Sequence, residues 1–136
     1  MTPRRRIALV TLVVDDYDRA IEYYVGTLGF ELVEDIAQPA EDKRWIVVRP
    51  AGAEGAGLVL GRARDAGQVA AIGMQGGGRV FLFLETDDFA RDYADLRAKG
   101  VTFERPPARM DYGTVAVFRD LYGNLWDLIE YDPPRA

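Results

Sequence analysis

The chain offers chemistry a restricted set of side chains: 22 aspartates and glutamates and seven tyrosines, but no histidine and no cysteine. The commonest general base near neutral pH and the commonest nitrogen ligand are therefore missing. Ser-His-Asp and Cys-His devices are excluded, as are a 2-His-1-carboxylate iron site, a thiolate nucleophile and a disulfide framework. What remains is a carboxylate raised in pKa by apolar surroundings, able to act as a base, or a phenol donating to a developing oxyanion.

At 136 residues, 49% hydrophobic and 29% charged, the chain is sized for one compact domain, residues 1–136, with a substantial core. A net charge of −5 argues against a nucleic-acid or anionic-membrane partner. Its one basic cluster, Arg4-Arg5-Arg6, reads as a solvated terminus. The apolar run from Ile7 to Val14 is too short for a signal peptide and leads straight into acids, and no stretch is long enough to cross a bilayer. These features, with the absence of cysteine, fit a cytoplasmic protein.

The elements that would position these side chains come in two similar sets. Residues 7–14 form an apolar strand read as buried on both faces, followed by Asp15-Asp16 and a helix over 16–27 that ends at Gly29. Residues 79–104 repeat this order with Asp87-Asp88 and Gly100. From Asp16 to Gly29 is 13 positions, as is Asp87 to Gly100, giving an offset of 71 and marking Asp16 and Asp87 as helix-start residues. Strands over 30–35, 44–49 and 57–61 complete a first module, about 5–62. The second, about 79–131, has a strand at 80–85, a helix at 88–99 and strands at 101–104, 114–119 and 125–131. Loops are expected at 37–43, at 105–112 with its prolines, and at the turn 120–124. Residues 63–78, ending in Gly76-Gly77-Gly78, read as a linker between modules or as a flap over a site; no Gly-Lys-Ser/Thr follows, so this is not a phosphate loop. The fold class is α+β, two βαβββ modules of mixed sheet, each helix covering one sheet face.

A strand ending Val13-Val14-Asp15-Asp16, a helix with Arg19-Ala20-Ile21-Glu22-Tyr23-Tyr24, then Leu28-Gly29-Phe30-Glu31-Leu32, resembles the opening of the vicinal oxygen chelate superfamily. That group includes glyoxalase I, bleomycin-resistance and extradiol dioxygenase proteins. The closing run from Phe118 to Ile129, FRDLYGNLWDLI, is similar to the family's ending. The resemblance implies a cupped sheet around a central cavity, glyoxalase-like, in a homodimer that completes the site. In metal-dependent members, one ligand comes from each of four strands. Those positions fall here at Leu9, about Leu60, near Phe81, and Asp127; only the last keeps a donor. A shift of register could bring in Glu85, but two acids without imidazole make a poor site for a divalent ion.

What the resemblance implies is thus a metal-independent protein, with no cofactor, that binds a small apolar or weakly cationic organic molecule as bleomycin-resistance proteins do. Candidate ligand-binding residues are Leu9, Thr11, Trp45, Leu60, Phe81, Phe83, Phe118 and Asp127. For the apolar and aromatic ones, ordinary core packing is an equal expectation. The alternative is a glyoxalase-type lyase or isomerase, or a dioxygenase-related enzyme, with a divergent site using Asp127 as base or ligand. Tyr112 would then donate to an oxyanion, or be only a turn aromatic. Glu85 would partner either residue, or cap the second helix. The absent histidine weighs against dioxygenase chemistry. A ligand-sensing domain without catalysis is the third reading.

Overall fold

In the first half of the chain, β1 (Leu9–Val14) stops at Asp15-Asp16. There the Asp16 carboxylate accepts from the Arg19 amide at 2.8 Å and caps α1 (Tyr17–Ile21). Arg19 reaches back to Asp15 at 2.7 Å. From Glu22 to Thr27 the helix continues in wider π turns, and Gly29, at φ 76°, ends it. Strands β2 (Phe30–Gln38), β3 (Lys43–Pro50) and β4 (Gly57–Arg62) complete a sheet of order β1-β4-β3-β2. β1 runs parallel to β4 and the other pairs are antiparallel. α1 packs on β3 and β4. Tyr17, Ala20, Tyr24, Leu12, Val14, Ile46, Val48, Leu58 and Leu60 form the core there. β1 differs from the sequence expectation: Leu12 and Val14 are buried but Leu9 and Thr11 are exposed. The strand alternates because the helix covers only one face of its sheet.

The computed structural model describes residues 1–52 and 54–134, and the chain divides into two compact units between Ala70 and Ala71. A short helix, α2 (Ala66–Ala71), lies at the division. The glycine segment after it is held closely within the second unit. A Cβ at Gly73 would sit 2.0 Å from the Tyr122 carbonyl oxygen, and the Gln75 amide donates to Asn124 Oδ1 at 3.4 Å.

The second unit contains β5 (Val80–Glu85), α3 (Phe89–Ala98), β6 (Phe103–Met110), β7 (Gly113–Arg119) and β8 (Leu125–Tyr131). Its sheet has the order β5-β8-β7-β6, with β5 parallel to β8. Phe89, Tyr93, Phe103, Phe118 and Trp126 form a continuous series of ring contacts between α3 and this sheet. The helix start corrects the repeat. Asp88, not Asp87, caps α3, accepting from the Arg91 amide at 3.0 Å, while Asp87 pairs with the Arg91 guanidinium at 2.8 Å. Glu85 does not cap α3 either; the second acceptor there is Glu130, from the Phe89 amide at 2.7 Å. The loop expected at 105–112 is instead mostly β6. Pro106 and Pro107 are tolerated because β6 is an edge strand with register shifts between Phe103 and Arg105 and between Arg105 and Ala108. Among the described residues, no helix is long and apolar enough to cross a membrane.

Candidate functional site

Each sheet has one face under its helix and one without, and register decides which candidate residues lie on which. In the first unit, Thr11 pairs with Val59, Val59 with Val47, and Val47 with Glu34. Side chains paired this way point to one face. That row, with Leu9 and Trp45 two residues along its strands, occupies the helix-free face. Leu9 is 40% exposed and Thr11 is exposed. The Trp45 indole N–H donates to the Glu34 carboxylate, which fixes the ring on this face. Leu60 is elsewhere. It pairs with Leu12, is 1% exposed, and belongs to the core beneath α1. The expectation that Leu60 lines a cavity beside Leu9 is corrected by parity: Val59 and Gly61 hold that face of β4.

In the second unit, the corresponding row is Phe83, Asp127, Val117, Arg105, one residue from each strand. Phe83 is 66% exposed. A register shift between Val80 and Leu82 leaves Phe81 unpaired at a bulge and sets Phe83 beside Asp127. Phe118 is a second correction. It is fully buried within the ring series under α3, on the opposite face from Asp127.

Asp127 Oδ1 is shut off from solvent and has no hydrogen-bond partner. Burial pushes its carboxyl above the ordinary value of 3.8, and the Arg105 charge pulls it part of the way back. Glu85 pairs with Ile129 and so shares the Asp127 face, two residues along. Tyr112 is not brought to Asp127. It sits between β6 and β7 beside the Tyr131 ring, at a strand end four residues away, about 13 Å along β8.

The closing motif has a structural explanation. Asp120 is buried and accepts from the amides of Tyr122, Gly123 and Asn124, at 3.0, 3.1 and 2.9 Å. It also accepts from Asn124 Nδ2 at 3.2 Å and from the Trp126 indole at 3.0 Å. Gly123 takes φ 100°, which few side chains tolerate. These bonds fix the turn between β7 and β8, and with it the register that aims Asp127 at the helix-free face.

The metal that the superfamily implies is not matched by these residues. The positions carried over by resemblance are Leu9, Leu60, Phe81 and Asp127, three hydrocarbons and one carboxylate, with Leu60 turned to the wrong face. Among the described residues, no group of three acids converges. Sequence reasoning missed Arg105 and Glu34. Arg105 was hidden by the adjacent prolines, whose place in an edge strand is the signal that would have revealed it.

Relatives agree with this architecture. The sequence model of the Glyoxalase/Bleomycin resistance protein/Dioxygenase superfamily matches residues 6–128. An uncharacterized protein of Shewanella frigidimarina is 56% identical, covering 93% of this chain and 94% of its own. The crystal structure of UcmS2 is similar with a TM-score of 0.80 at 30% identity, covering 93% of this chain and 98% of its own. That of TnmS3, described as an antibiotic binding protein from Streptomyces sp. CB03234, has a TM-score of 0.76 at 32% identity, covering 97% and 100%. With both βαβββ units and nearly the whole length matched, the chain belongs to the Glyoxalase/Bleomycin resistance protein/Dioxygenase superfamily.

Proposed function

We propose that this chain binds a small, partly apolar organic cation without a metal and without chemical turnover, in the manner of the bleomycin-resistance branch. The observation that carries the reading is the Asp127 carboxylate oxygen, closed to water, unpartnered, and set between Phe83 and Val117. An acceptor left in that state costs folding free energy, about 1–3 kcal/mol for a typical group. A ligand ammonium or N–H, admitted by rotation of the exposed Phe83 ring beside it, would supply the missing donor, and Phe83 would then cover its apolar part. The likeness to TnmS3 supports binding of an antibiotic-sized molecule. A homodimer in the cytoplasm is the setting this reading assumes. The enzyme alternative, with Asp127 as a base, is favoured by its raised pKa, but Tyr112 lies too far along the sheet to share an oxyanion with it.

A thermal-shift screen with aromatic cations and basic drugs tests the proposal. A ligand at about 100 times its Kd adds roughly 2.7 kcal/mol, a rise of several degrees in a domain of this size. The Asp127→Asn and Phe83→Ala variants should lose most of that rise. A broad library that moves the parent chain nowhere, or a cation whose effect survives Asp127→Asn, would end the reading. Stoichiometric, sub-micromolar binding of a divalent metal would overturn its metal-free part.

A further inference from the structure

We propose that the helix-free face of the second sheet recognises a zwitterion, with an ammonium seated at Asp127, an anionic group at Arg105, and an apolar body lying over Val117. This rests on the binding role proposed for Asp127 and adds a second charge requirement to it. The register puts Asp127 on β8, Val117 on β7 and Arg105 on β6, adjacent strands of one sheet in one row. Neighbouring strands lie about 4.8 Å apart, so the backbones carrying the two charged side chains stand about 10 Å apart, with the apolar Val117 between them. Val117 is buried between them, so a ligand body reaches it only where the flanking side chains of the row turn aside.

Neither charge is spent within the protein. Asp127 Oδ1 has no donor. Arg105 is exposed and has no hydrogen bond or ion pair among the described residues; it attracts Asp127 only through their charges, at longer range. The other strand arginines of this unit contrast with it, since Arg109 pairs with Asp132 and Arg119 with Glu104. Arg105 is also held in place. It lies between two register shifts, and the next two residues, Pro106 and Pro107, restrict the backbone that carries it. An ion pair reaching across Val117 would have satisfied both groups directly, and it is not formed. A ligand bearing both charges on a short rigid body completes each without moving either strand, since the row already sets the two residues on one face.

Three matched probes test the proposal on the full chain by amide NMR titration: 4-(aminomethyl)phenylacetic acid, 4-methylbenzylamine and 4-methylphenylacetic acid. The zwitterion should perturb the amides around Phe83, Asp127 and Arg105 and bind at least about fivefold tighter than the amine. Arg105→Ala should erase that preference, so that the zwitterion binds no tighter than the amine. Arg105→Lys should keep part of it. Equal affinity for zwitterion and amine, or a preference that survives Arg105→Ala, overturns the zwitterion proposal and leaves the cation-binding reading standing. Absence of perturbation at this face by any amine overturns both. Arg105 is exposed, so its variants should fold, and an unchanged urea midpoint verifies this.

Discussion

In the first unit, 13 positions separate the capping Asp16 from Gly29; in the second, 12 separate Asp88 from Gly100. Both helices open with the same device, an Asp-Asp pair whose second carboxylate caps and whose first holds an arginine four residues on. Both end on a glycine with positive φ. The extra residue of the first unit therefore lies inside its helix, where Glu22–Thr27 winds as π turns while α3 stays regular throughout. A π segment is the way a helix takes in one more residue while keeping both ends in place. The helix-free faces differ as well. Their corresponding rows are Thr11, Val59, Val47, Glu34 and Phe83, Asp127, Val117, Arg105. The strand order is shared, but only the second row carries a shielded acid and an unpaired base. One scaffold has been used for two surfaces, and the ligand-binding proposal falls on the second.

A pair of deletions puts this comparison under the most stress. Removing exposed Gly26, whose Cβ position has no atom within 4 Å, should let the first helix rewind at the α3 spacing and cost under about 1 kcal/mol. Removing exposed Ala94 from α3 turns everything beyond it by about 100° and swings buried Leu96 out of the core, costing about 3 kcal/mol or more. Urea unfolding of the two variants reads the difference directly. Similar losses from both would mean that the π segment is not an inserted residue.

The helix starts are the next point of leverage. Asp16→Ala and Asp88→Ala should each cost about 1 kcal/mol, since each carboxylate satisfies an amide of the first helical turn. Asp87→Ala removes only an exposed ion pair and should cost a few tenths of a kcal/mol. Were Asp87→Ala as costly as Asp88→Ala, the 13-position spacing of the sequence repeat would be right and the helix comparison would collapse.

Much of this organisation was legible in the residues. The strands β5 and β8 stand where apolar periodicity and flanking turns put them, and the motif around Gly123-Asn124 identifies the superfamily. What could not be read follows from physics that acts beyond a local window. Asp87 and Asp88 are indistinguishable by type, and only the backbone geometry of the cap decides between them. Leu60 was set on a ligand face by the position carried over from the resemblance, and Phe118 by strand parity or aromatic character, and none of these fixes the register that decides the face. One step of register exchanges the helix side for the open side. Arg105 was lost because a Pro-Pro pair reads locally as a loop, whereas the edge of a sheet requires no donor from it.

Asp127 has a small expected effect on stability and the most direct bearing on why the two rows differ. Its pKa in the folded chain lies above the ordinary 3.8, so the folded state holds the proton more tightly than the unfolded one. Stability is therefore lost as pH rises from 3.8 through the folded pKa, and that loss persists at neutral pH. Asp127→Asn removes the charge while keeping the shape. It should raise the melting temperature at pH 7 by roughly 1–3 °C and have little effect below pH 3.8. Thr11→Val, an exposed change on the first row, should move it by no such pH-dependent amount. A gain from Asp127→Asn at neutral pH, joined to loss of cation binding, would mark the carboxylate as a position held against stability for the sake of its ligand. A melting temperature that falls at pH 7 would show instead that ionised Asp127 is already well satisfied in the folded protein, which removes the reason to look for a donor beyond it.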